Sequence, residues 1–302
     1  MDKNSKILIT GATGLTGSAI KSKLRAEGYK NIISPTRKEL DYTRKFCVND
    51  YFKEHRPEFV FHCAGEISTH LTHGTKIQDS SLLSNDAYIN LNTINAAAMN
   101  SVKKIIAVGS CWNYPRTEKV LPGIKESDYD TTSSQDNTGH GISKFLMISL
   151  LALLRQEDRL DSTVLMIPPL YGDDTSDETE DKHVFAHFNN NIHVAAKKNL
   201  GSITFTSNPT NLRQLLHTED FAEAALMAMG IESPLLNVAS EDVYSMEDIV
   251  KKLCRVWDYK GDIKWNNRPS NKGPQMLDCS LLKSKGWQAK ISFNDFLGKR
   301  LK

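Results

Sequence analysis

Short apolar runs alternate with amphipathic stretches through most of the chain. Ile7-Leu8-Ile9 runs into a glycine-rich turn, and a helical period follows over residues 15–27. Further strand candidates lie at 31–34, 58–62, 102–108 and 162–166, separated by helical periods over 42–55, 85–100 and 140–156. Regular strand–helix alternation predicts an α/β fold, a Rossmann-type doubly wound parallel sheet with right-handed crossovers. The 140–156 stretch is apolar on nearly every side, so it packs on the sheet with one face and on further core or a second subunit with the rest. Together with 85–100 it predicts a four-helix contact in a homodimer.

Beyond Pro168-Pro169 the pattern turns irregular. Residues 203–205 and 263–265 read as strands outside the main sheet, 235–238 as another buried strand, and 218–229 as a helix capped by Thr218. A second helix opens with an S-x-x-D cap at Ser245. The expected organisation is a dinucleotide-binding domain over 1–167, completed by about 215–245, and a smaller interleaved α/β substrate lobe from 168–214 and 246–302. Residues 66–83, without a clear period, are expected to loop over the cleft, and 173–181, with six acids in nine positions, to form a solvated loop.

Composition narrows the class. The chain has 302 residues with 38 basic and 36 acidic side chains, a net charge of +2 and no polybasic block. Attraction to nucleic acid or to a membrane surface is therefore not expected. Five cysteines without C-x-x-C spacing argue against a disulfide framework or structural zinc. His70 and His73 stand three apart without further ligands, so no metal site is expected. The amino-terminal MDKNSK has no apolar signal core and no stretch reaches a membrane span, which makes the cytoplasm the expected compartment.

The first turn carries the candidate chemistry. Gly11, Gly14 and Gly17 follow the first strand and open the first helix; this lets the backbone approach a pyrophosphate at a helix N-terminus, with Thr13 and Leu15 in the same turn. The spacing alone also fits any tight strand-to-helix turn, but its place on the first strand favours a dinucleotide. At the second strand tip stands Arg37, where an arginine accommodates the extra phosphate of NADP and an acid would hold the ribose of NAD. A solvated basic turn is the alternative. Ala64 and Gly65 form a small-residue tip on which a cofactor can lie.

These motifs, with Gly109-Ser110, Tyr114-Pro115, Ser143-Lys144, Leu170-Tyr171-Gly172 and Arg213-Gln-Leu-Leu-His217-x-x-Asp220, occur in the order found in extended short-chain dehydrogenases/reductases. Over nearly the whole length the chain resembles the GDP-L-fucose synthase branch of that group. The resemblance implies NADP(H) as cofactor, with NAD also admissible, and a nucleotide-diphosphate sugar, GDP-linked, as substrate. It implies Ser110 and Lys144 as members of a Ser-Tyr-Lys set whose tyrosine, one turn before the lysine, is replaced by His140. It further implies His183 as one member of an epimerising pair, with Trp112 at the position of its cysteine partner. Arg213 matches a phosphate clamp, and Trp112 and His183 are placed near the sugar. The activity expected is a 4-keto reductase with doubtful epimerisation. An enzyme using water or another residue as acid, and a non-catalytic homologue that binds nucleotides as a sensor or partner subunit, remain as alternatives.

Overall fold

The computed structural model describes residues 1–66, 79–115, 123–134, 136, 138–172, 184–266 and 275–300. His183, His70, His73 and the acidic 173–181 stretch lie outside the described residues.

The central sheet has six parallel strands: β1 (Ile7–Thr10), β2 (Ile32–Ile33), β3 (Phe59–His62), β4 (Lys104–Val108), β5 (Asp161–Met166) and β10 (Leu235–Asn237). Their spatial order is β10-β5-β4-β3-β1-β2. The chain moves outward from β1 to β2 and then returns to the other side at β3, so the order reverses at β1/β3, where a crevice opens beyond the carboxyl ends of the strands.

Period-two alternation divides the strand residues between two cores. Leu8, Val60, Ile105, Ala107, Val164 and Met166 face one side, covered by α2 (Lys45–His55), α3 (Asp79–Met99) and α4 (Gly139–Gln156). Ile7, Ile9, Phe61, Ile106, Val108 and Leu165 face the other, covered by α1 (Leu15–Ala26) and α6 (Thr218–Ala228), with Leu282 and Trp287 closing that side.

A third core gathers Tyr171, Phe185, Phe188, Ile192, Phe205, Leu215, Ile249, Leu253 and Phe293. It is built from α5 (Val184–Lys197), α7 (Met246–Val256), α9 (Phe293–Gly298) and short paired strands. Those pairs are β6 (Leu170–Tyr171) with β9 (Leu216–His217), β7 (Ser202–Phe205) with β12 (Asp262–Trp265), and β8 (Leu212–Gln214) with β11 (Val243–Ser245). The remaining helix, α8 (Ser280–Ser284), lies near β10.

Three local expectations need correction. α2 starts at Lys45 because Asp41 Oδ1 accepts the Thr43 N–H and hydroxyl, a local turn that competes with helix. α3 starts at Asp79, so residues 79–83 are its first turns and not loop. The cap of α6 is His217, whose Nδ1 accepts the Glu219 N–H at 3.2 Å, and Thr218 is the first helical residue. Ser245 does cap α7, accepting the Asp248 N–H at 3.0 Å.

Candidate active site

At the reversal point β1 passes into the glycine turn. Gly11 has φ +64, and a Cβ there would stand 2.7 Å from the Ala64 nitrogen. A Cβ on Gly17 would collide with the Gly11 carbonyl. Gly14 caps α1 without a side-chain hydrogen bond, so the cap itself gives the first-turn N–H groups no acceptor at an electropositive helix end. Thr13 is exposed and Leu15 half-buried in this turn. A cradle that only glycine permits, open at a helix N-terminus, fits a pyrophosphate.

A buried polar chain fixes the strand tips around it. Thr10 Oγ1 accepts the N–H groups of Cys63 and Ala64 at 3.1 and 3.0 Å, so its own proton goes to His62 Nδ1 at 2.9 Å. His62 then carries its proton on Nε2 and donates it to Asn90 Oδ1 at 2.8 Å, while Asn90 Nδ2 donates to Ser143 Oγ at 2.9 Å. Burial, reinforced by the nearby Lys144 cation, pushes His62 down to about 4, so it is neutral at physiological pH. Ala64 and Gly65 thus sit on an anchored tip. Arg37, 78% exposed, reaches across to Glu66 at 3.3 Å.

Beside the β3 tip α4 presents Lys144 and His140, one turn apart. Lys144 is buried and its Nζ donates to Val108 O at 2.9 Å, which ties α4 to the end of β4 two residues before Ser110. Asn113 Nδ2 donates to Gly141 O at 3.0 Å, a second tie between α4 and the turn after Ser110. Ser110 Oγ accepts the Trp112 N–H at 3.2 Å and keeps its hydroxyl proton to donate. His140 Nδ1 lies 3.1 Å from the carbonyl of Glu66 and 3.5 Å from Asp86 Oδ2. A carbonyl only accepts, so Nδ1 carries the proton and Nε2 is the nitrogen left for chemistry.

Arg213, on β8, holds its guanidinium 5.1 Å from the Trp112 ring centre, and its Nη1 donates to Leu212 O at 2.7 Å. Among the described residues it makes no ion pair. Burial draws its pKa down, the signature of a desolvated cation. The structure therefore brings Ser110, Trp112, His140 and Lys144 around the end of β4, with Arg213 over Trp112, Gly65 beside Lys144 and the glycine turn beside Ala64.

Sequence reasoning missed Asp86, Asn90 and Glu66. Asp86, Asn90 and Thr93 lie at i, i+4 and i+7 of α3, and all three are buried. That polar stripe on a buried helix face was the available signal. Glu66 joins the parts through its backbone. Its N–H donates to Asp86 Oδ1 at 3.0 Å and its carbonyl accepts from His140.

Fold and site together define a dinucleotide-dependent enzyme of the Rossmann class, and residues 7–238 match the NAD dependent epimerase/dehydratase family, to which this chain belongs. It is similar to "GDP-L-fucose synthase 1" of Arabidopsis thaliana, with 28% identity over 98% of this chain and 92% of the relative. The "GDP-L-fucose synthase" of Escherichia coli K12 is 25% identical over 95% of this chain and 92% of its own. Among solved structures, the GDP-mannoheptose C4 reductase of Campylobacter jejuni with NADP bound superposes with a TM-score of 0.83 at 24% identity, covering 100% of this chain and 98% of that one. No helix among the described residues is long and apolar enough to cross a membrane.

Proposed function

We propose that this protein is an NADP(H)-dependent reductase of a GDP-linked 4-keto-6-deoxy sugar. The observation that carries this reading is the desolvated Arg213 guanidinium, without an ion pair among the described residues and held over Trp112 next to Ser110, His140 and Lys144. A half-buried cation without a carboxylate among the described residues suits an anion from outside, here the diphosphate of a nucleotide sugar. The names of the relatives support the same substrate class.

Gly11, Thr13, Gly14, Leu15 and Gly17 would hold the cofactor pyrophosphate, Ala64 and Gly65 would lie under it, and Arg37 would take the 2′-phosphate. The bound nicotinamide supplies the hydride. Ser110 hydrogen-bonds the sugar carbonyl oxygen, His140 gives that oxygen its proton from Nε2, and Lys144, anchored on Val108 O, orients the nicotinamide ribose. With Trp112 in place of a thiol, the epimerising acid–base pair implied by His183 has lost a member, and the reaction proposed is reduction without epimerisation. Residues 1–167 with 215–245 serve as the cofactor domain, on which Leu277, Cys279, Leu282 and Trp287 also pack, and the rest of 168–214 and 246–302 as the sugar lobe. α3 and α4 form the homodimer contact.

The test is consumption of NADPH, followed by absorbance, with GDP-4-keto-6-deoxymannose as substrate, alongside a thermal-shift panel of GDP, UDP, CDP and dTDP sugars. NADPH oxidation dependent on the GDP sugar, with the largest shift from GDP sugars, is expected. A shift from NADPH but from none of the sugars contradicts the proposal.

A further inference from the structure

The carboxylate of Asp86 is fully buried on α3 and lies behind His140. Its two oxygens have different surroundings. Oδ1 accepts the Glu66 N–H at 3.0 Å, whereas Oδ2 has no hydrogen-bond partner among the described residues and faces His140 Nδ1 at 3.5 Å. A buried carboxylate oxygen left this way is costly unless a cation stands opposite it. Burial pushes the Asp86 carboxyl up, but the facing His140 ring, the Lys144 charge and the Glu66 N–H outweigh burial and leave it below the usual carboxylate range. The acid is therefore ionised.

We infer that Asp86 is a positioning residue for the proton donor, an aspartate–histidine pair standing where a tyrosine acts in related enzymes. The inference rests on the functional reading of His140 given above. Glu66 O receives the hydrogen bond from Nδ1 and fixes the ring; Asp86 supplies the negative charge that an imidazolium needs at that depth, with side-chain exposures of 25% for His140 and 0% for Asp86. A neutral histidine with its proton on Nδ1 has nothing to donate from Nε2, so proton delivery requires the doubly protonated ring. In the step itself the Nε2–H bond breaks and an O–H bond forms on the sugar oxygen. The ring is left neutral with Nδ1–H in place, and Asp86 remains a carboxylate throughout. Among the described residues, Asp86 from α3 stands 3.5 Å from the ring and Lys144 from α4 adds its charge at Asp86, whereas Glu66, whose carbonyl meets the ring, engages its carboxylate with Arg37 and Asn85 Nδ2. A phenol needs no such counter-charge, because it donates its proton from the neutral state.

Two measurements test this. Nuclear magnetic resonance of the ligand-free protein should find the His140 Nδ1 proton in slow exchange and at low field, and Asp86→Asn should move it upfield. This substitution keeps an acceptor for the Glu66 N–H and removes only the charge. In single-turnover reduction, Asp86→Asn should lower the rate about 30- to 100-fold in the wild-type background. It should change little in a His140→Ala background, since Asp86 acts through the imidazole. A purely structural role would give equal losses in both backgrounds, and that outcome overturns the inference. So does a neutral His140 whose proton sits on Nε2, a result wild type alone can give if Asp86→Asn does not fold. If the Nδ1 signature is present and lost in Asp86→Asn while no GDP-linked 4-keto sugar is reduced, the pair stands and the proposed function falls.

Discussion

His62 shows how a single residue sets a measurable property of the whole domain. Its neutral form is required by the hydrogen bonds from Thr10 and to Asn90, and its pKa is pushed from 6.5 to about 4 by burial. Because the folded-state value is depressed, the unfolded chain binds the extra proton first on acidification. The contribution is fully present above about pH 6.5 and is lost as the pH falls towards 4. Chemical denaturation at pH 7 and pH 4 should show wild type losing on the order of 3 kcal/mol more than His62→Asn, which cannot titrate. Equal losses would mean that the buried chain does not hold His62 neutral. Arg37 gives a second prediction at this scale. Its ion pair with Glu66 competes with a cofactor phosphate, so Glu66→Gln should tighten NADPH relative to NADH and Arg37→Ala should loosen it, each by about tenfold, or ~1.4 kcal/mol. Calorimetric titration with both cofactors checks the pair of variants; tighter binding of NADH than of NADPH by wild type would exclude Arg37 as the phosphate ligand.

At the scale of elements, the glycine turn and the α3–α4 pair do most to shape the crevice. Gly17→Ala places a methyl group against the Gly11 carbonyl, which must shift the turn. About 1–3 kcal/mol of stability should be lost on denaturation, together with NADPH binding by calorimetry, because the same backbone is the proposed phosphate cradle. This element was legible in the sequence, since a strand ending in three spaced glycines before a helical period has few other uses. The spacing of His140 and Lys144 was equally plain, one turn apart on a helix. Asp86 and Glu66 were not, for a physical reason. The i, i+4, i+7 spacing of Asp86, Asn90 and Thr93 marks a polar stripe on α3, but that this stripe is buried, and that Glu66 acts through its backbone, are set by tertiary packing, which local period does not encode. The cap of α6 was missed for a similar reason, since an imidazole acceptor at His217 can do what Thr218 was expected to do.

On the scale of the whole molecule, α3 and α4 each expose large apolar side chains. Tyr88 and Met99 of α3 are exposed at 55% and 66%, and Leu146 and Leu153 of α4 at 41% and 56%. Large side chains on two neighbouring helices are what a four-helix subunit contact buries. Leu153→Glu should therefore convert the proposed dimer into a monomer by sedimentation, with fold and cofactor binding retained; a monomeric wild type would remove the dimer from the account.

Delivery of the proton by an imidazole at the proposed reducing site can be decided by single-turnover hydride transfer from NADPH to GDP-4-keto-6-deoxymannose in wild type, His140→Ala and His140→Tyr. Wild type should turn over, His140→Ala should lose about 100-fold or more, and His140→Tyr should keep activity with its optimum moved to higher pH. Equal rates in wild type and His140→Ala would show that His140 is not the acid, and hydride transfer by His140→Tyr alone would show a binding protein on an enzyme's scaffold.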